Sequence, residues 1–130
     1  MGFVHRDLKP ENIVLNIGNP LQVALIDFDR ALPESCKTKT GPRGTPGYYP
    51  DNFQFEDGDL QWDLYAFVAI VAECDMGVNE YMKVKSERRG KSAIKKHIEN
   101  KGTCKILANL IQNVIFCPRG GDLPIFAEVE

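Results

Sequence analysis

The sequence predicts an α+β chain, mainly α, in a single domain of two parts: short strands and loops over residues 1–61, then a helical part over 62–130. Three observations lead there. Two apolar runs of strand length flank a turn near the start, the middle is dense in glycine and proline, and the second half repeats apolar residues at helical spacing.

The two runs are Ile13-Val14-Leu15 and Val23-Ala24-Leu25-Ile26. Asn16-Ile17-Gly18-Asn19-Pro20 between them has turn chemistry, so the pair reads as a small β-hairpin. Residues 32–61 carry Pro33, Pro42, Pro46 and Pro50 with Gly41, Gly44 and Gly47, which exclude a long helix. A loop of about thirty residues inside a compact domain is more often functional than idle, the alternative being a disordered surface loop. Trp62–Met76 is apolar nearly all round and predicts a buried central helix. Over Gly102–Phe116, Ile106, Leu107, Leu110, Ile111, Val114 and Ile115 form a stripe that predicts core packing.

Composition narrows the function classes. The chain has 130 residues, 43% of them hydrophobic, which excludes disorder along its whole length. Sixteen basic and 18 acidic residues give a formal charge of −2, which argues against whole-surface binding of nucleic acid or an anionic membrane. The longest apolar run, Leu64–Ala72, is about half the ~20 residues of a membrane span. His5, Arg6, Asp7 and Lys9 interrupt any leader pattern at the start, so an intracellular place, cytoplasmic or nuclear, is expected. Cys36, Cys74, Cys104 and Cys117 show no C-x-x-C spacing and read as free thiols, with a bridge left open. Lys83–Lys105 holds nine of the sixteen basic residues, and His97 with them. It reads as a solvated helix face with His97 on the surface, or as a dock for an acidic partner; its scarcity of aromatics argues against nucleic acid.

The chemistry-bearing residues come early. His5-Arg6-Asp7-Leu8-Lys9-Pro10-Glu11-Asn12 matches H-R-D-L-x-x-x-N at every fixed position. It resembles the catalytic loop of eukaryotic-type protein kinases. The resemblance implies that Asp7 accepts the proton of the substrate hydroxyl, that Lys9 offsets charge on the transferring group, and that Asn12 holds a metal ion. Lys9 further implies serine/threonine rather than tyrosine specificity. Asp27-Phe28-Asp29 stands where that family has D-F-G, which implies Asp27 as a Mg2+ ligand and Phe28 packed inward. Asp29 departs from the glycine of the pattern; small-molecule kinases of the aminoglycoside and choline type often carry an acidic residue there.

Two further strings follow in the same order. Gly44-Thr45-Pro46-Gly47-Tyr48-Tyr49-Pro50-Asp51 resembles G-T-P-x-Y-x-A-P-E, one residue shorter and with Asp51 for Glu. It implies that Thr45 binds Asp7 and Lys9, and that Asp51 pairs with Arg119. Asp63-Leu64-Tyr65-Ala66-Phe67-Val68 resembles D-x-W-S-x-G, which implies that Asp63 anchors the backbone of the catalytic loop. Ser35, Thr38 and Thr40 lie in activation-loop position and are candidate phosphosites, with Arg6 as the partner of a phosphate; the alternative is three solvated hydroxyls.

No G-x-G-x-x-G and no V-A-I-K occur in the sequence. The resemblance is therefore to the C-terminal lobe of a protein kinase, using ATP and Mg2+ on a protein substrate. It implies a partner that supplies or replaces the N-lobe, and little activity for this chain by itself. A pseudokinase-like binding module without catalysis and a small-molecule kinase are the alternatives.

Overall fold

Turn chemistry at residues 16–20 brings two apolar runs together. A computed structural model describes residues 2–41, 43–49, 55–77, 95–97, 99, 104–106, 108–109 and 111. In it, strand β2 (Ile13–Asn16) pairs antiparallel with β3 (Gln22–Leu25), Ile13 opposite Leu25 and Asn16 opposite Gln22. The Asn16 side-chain amide donates to Gln22 Oε1 at 3.2 Å and closes the far end. This is the expected hairpin, but Val14, Leu15, Val23 and Leu25 are all exposed, on both of its faces.

A second ladder joins the start of the chain to the segment after the hairpin. Strand β1 (Phe3–Val4) pairs antiparallel with β4 (Leu32–Pro33), and the Glu34 amide extends the pairing to Gly2 O at 3.1 Å. Strands of two residues carry no readable period, so the sequence suggested only a loop from residue 32 onward.

The longest helix among the described residues is α1 (Gln61–Met76), one residue earlier than the apolar run suggests. Asp59 makes that start: its Oδ1 accepts the Gln61 amide at 2.9 Å, satisfying a donor that the first turn leaves unpaired. Gly77 ends the helix with φ +87°, its amide bonded to Glu73 O at 2.8 Å, a left-handed closure that favours glycine. Trp62, Leu64, Tyr65, Ala66, Val68, Ala69 and Ala72 are buried, and Phe67 is the apolar exception.

The chain divides into two compact units, residues 1–67 and 68–130, with α1 crossing the division. In the second unit His97 has a carboxylate partner. Its Nε2 lies 2.9 Å from Asp75 Oδ2. The apolar stripe is core only in part: Ile111 is 1% exposed and Ile106 69%. Five residues apart, these two point about 140° from each other around a helix, so one face cannot bury both. Leu107, Leu110, Val114, Ile115, Asp51, Cys117, Arg119 and most of Lys83–Lys105 lie outside the described residues. Cys36, Cys74 and Cys104 are free thiols.

Candidate active site

Residues 5–12 are fixed by a carboxylate from α1. Asp63 Oδ2 accepts the His5 amide at 2.7 Å and Oδ1 accepts the Arg6 amide at 2.9 Å. Burial pushes the Asp63 carboxyl above its ordinary value, and the two amide donors and the charge of Arg6 only partly offset it. His5 Nδ1 accepts the Asp7 amide at 3.3 Å, so its proton sits on Nε2, which donates to Ile26 O at 3.0 Å. One buried imidazole thus ties the 5–12 loop to the chain just beyond β3. Arg6 holds φ 66°, a region few non-glycine residues occupy and one that concentrates at functional loops.

Asp7 sits at the centre of a small polar set. Thr45 Oγ1 donates to Asp7 Oδ1 at 2.8 Å and accepts from Lys9 Nζ at 3.1 Å. Lys9 Nζ and Arg30 Nε each lie 3.7 Å from Asp7 Oδ2. One carboxylate oxygen is therefore held by a hydroxyl while the other is flanked by two cations. Gly44 permits this: it has φ +133°, and a Cβ there would stand 2.8 Å from Arg6 O. Any side chain at Gly44 would push the Thr45 segment off the loop.

Asn12 is buried at the end of a single 3-10 turn, Pro10–Asn12, which Pro10 opens without losing a bond. Its Nδ2 donates to Asp7 O at 2.9 Å, which leaves the amide oxygen as the end able to meet a cation. Asn12 O accepts the Ile26 amide at 3.0 Å, so Asp27 follows directly beside it, with φ 63°. An amide oxygen and a carboxylate are hard donors, of the kind that hold Mg2+ together with water or phosphate oxygens. Among the described residues no group of three or more His, Cys, Asp or Glu could hold a metal by itself. The donor set fits a cation that brings ligands of its own. Phe28 does not pack inward as expected: it is 55% exposed, with its ring 4.8 Å from His5. Asp51 and Arg119, the other expected pair, lie outside the described residues.

Arg6 already has an anionic partner. Its Nη2 lies 3.2 Å from Asp57 Oδ1, both groups buried, and its Cζ is 5.7 Å from the Trp62 ring centroid. Asp57 also accepts Thr38 Oγ1 at 2.6 Å, Thr40 Oγ1 at 2.9 Å and the Thr40 amide at 3.1 Å. Two of the three candidate phosphosites are thus bonded to the carboxylate that takes Arg6; Ser35 is exposed in a turn. Burial works to raise the Asp57 carboxyl, but the bonds from Thr38 and Thr40 and the charge of Arg6 outweigh it and hold it below the ordinary value. Asp57 and Arg30 were missed by motif spacing. No sequence signal marks Asp57; beside it the Gly58 backbone packs so closely that a Cβ there would meet the carbonyls of Pro33, Glu34 and Cys36 at 2.6–2.8 Å.

Comparison with known proteins bears on this loop and its surroundings. The chain is 34% identical over 74 residues to the Leaf rust 10 disease-resistance locus receptor-like protein kinase-like 1.4 of Arabidopsis thaliana, 55% of this chain and 11% of that protein. It is 32% identical over 89 residues to serine/threonine-protein kinase PknD of Mycobacterium tuberculosis, 67% of this chain and 13% of that protein. Against serine/threonine-protein kinase RUNKEL of Arabidopsis thaliana the identity is 35% over 80 residues, 58% of this chain and 6% of that protein. The chain carries a protein-kinase-like region. It spans only a small part of the length of these relatives. No family profile and no solved structure matches it. Among the described residues no helix is long and apolar enough to cross a membrane.

Proposed function

We propose that this chain is the catalytic-loop and activation-segment portion of a serine/threonine protein kinase lobe, of α+β, mainly helical fold. Its reaction is transfer of the ATP γ-phosphoryl group to a Ser or Thr hydroxyl of a protein substrate. The contact set Lys9–Thr45–Asp7 carries this reading.

Asp7 Oδ1 is occupied by Thr45, so Oδ2 is the oxygen that takes the hydroxyl proton. Lys9 lies beside Oδ2 and places positive charge where the transferring group gathers negative charge. Asp63 holds the backbone at His5 and Arg6, so Asp7 needs no reordering when substrate arrives. Asn12 and Asp27 would hold Mg2+ by their side-chain oxygens. Bound Mg2+ would neutralise charge on the nucleotide phosphates. The exposed apolar residues of the β2–β3 hairpin suit a covering protein surface, the place for a segment or partner that carries the phosphate-covering loop and strand lysine.

A binding module without catalysis is the second reading, favoured by Arg30, which lies against the proton-accepting oxygen of Asp7, and by Asp29. Calorimetric titration of the chain with ATP, with and without Mg2+, separates the two. Metal-dependent heat that disappears in Asp27→Asn supports the kinase reading. Absence of metal-dependent heat supports the scaffold.

A further inference from the structure

Arg6, Thr38 and Thr40 meet at one buried carboxylate. Asp57, 1% exposed, has Oδ1 against Arg6 Nη2 and Oδ2 against the hydroxyls of Thr38 and Thr40, with the Thr40 amide shared between both oxygens. The Asp57 amide itself donates to Thr38 O at 2.7 Å. A carboxylate so placed has its acceptor capacity filled and its charge compensated. A phosphate on Thr38 or Thr40 would therefore bring about two negative charges to a carboxylate that already holds Arg6.

We propose that Asp57 is a positioning residue that stands where a phosphate was expected: it fastens the Thr38–Thr40 loop to Arg6 without modification, and phosphorylation of Thr38 or Thr40 opens the fastening. The consequence for catalysis rests on the reading of Asp7 as the base, because Arg6 immediately precedes it. The fastening itself does not.

Hydrogen exchange and Trp62 emission on the full chain test it. Trp62 is the single tryptophan of the sequence; Arg6 Cζ lies 5.7 Å from its ring, its Nε1 donates to Glu56 O and Phe55 stands edge-on to it, so its emission reports the surroundings of Arg6 and Asp57. In Asp57→Asn, exchange at the Thr40 amide and over residues 36–41 rises about tenfold or more, the worth of hydrogen bonds to a charged group. Trp62 emission shifts to the red, while α1 stays protected. Should α1 also lose protection, Thr40→Val gives the local reading: faster exchange over 36–41 with Trp62 emission unchanged, because Arg6 keeps Asp57. Thr40→Glu, with a negative charge beside Asp57, exchanges faster still.

Unchanged protection of 36–41 in a folded Asp57→Asn, or in Thr40→Val, overturns the proposal. So does Thr40→Glu more protected than the parent chain. These readouts need no phosphoryl transfer. A chain without Mg2+-dependent ATP heat but with this pattern would contradict the kinase reading and uphold the Asp57 fastening.

Discussion

Thr45 and Asp7, 38 residues apart, share a 2.8 Å hydrogen bond, and the same hydroxyl oxygen accepts from Lys9 Nζ at 3.1 Å. A threonine in an otherwise irregular segment thus sets which oxygen of the carboxylate remains able to take a proton. Thr45→Val removes both bonds at nearly constant volume. In the proposed reaction it lowers kcat by roughly 10- to 100-fold, the scale of a mis-set catalytic group, while Thr45→Ser retains most of the rate. Urea unfolding of Thr45→Val falls by only about 1 kcal/mol, the net worth of an ordinary hydrogen bond.

Gly44 makes that approach sterically feasible. Gly44→Ala puts a Cβ 2.8 Å from Arg6 O at a φ of +133°, so it destabilises the chain by about 1–3 kcal/mol. Gly41 has φ +92° but open space around it. Gly41→Ala costs about 1 kcal/mol, the conformational part alone. Equal costs for the two variants in urea titrations would remove the case for close packing at Gly44.

Asp63 and Asp57 contribute to stability with opposite pH dependence. Asp63 has its carboxyl raised above 3.8, so the folded state holds the proton more tightly than the unfolded state. Its contribution is greatest below that value and declines as pH rises through the folded value. Asp57 is held below 3.8, so its contribution is fully present above that value and is lost as pH falls through the folded one. Urea midpoints from pH 3 to pH 7 check this. The advantage of the parent over Asp63→Asn shrinks as pH rises; its advantage over Asp57→Asn shrinks as pH falls below about 4.

The hairpin predicts a surface effect. Leu15 and Val23 face each other across β2 and β3 and are exposed. Leu15→Lys changes the folding free energy by no more than about 0.5 kcal/mol, as for surface substitutions generally. It lowers self-association in sedimentation measurements, because it breaks an exposed apolar patch. A large loss of stability would mean that Leu15 is covered.

Much of this geometry was legible because it is local or tied to a string. The hairpin followed from its two apolar runs and turn, and α1 from a run with no polar face. The His5–Asn12 string, with Asp27, Thr45 and Asp63, named residues that meet through Asp7, Asn12 and Ile26. The β1–β4 ladder was illegible because two residues carry no periodicity. Asp57 was illegible for another reason: an Asp-Gly pair reads as a turn, and only the folded chain shows that its carboxylate is buried against Arg6. The partners of the Thr38 and Thr40 hydroxyls were illegible for that same cause, since a loop's place in the sequence says nothing of where its hydroxyls point. Ile106 shows that a stripe wider than one helix face leaves a member in solvent.

In the proposed reaction Asn12 and Asp27 offer oxygens to one hard cation beside Asp7. Substoichiometric Mn2+, a paramagnetic stand-in for Mg2+, tests it directly in amide NMR spectra of the chain. Broadening centred on Asn12, Ile26 and Asp27, reversed by excess Mg2+ and absent in Asp27→Asn, is the predicted result. Broadening spread evenly over the surface carboxylates, or unchanged in Asp27→Asn, would contradict it.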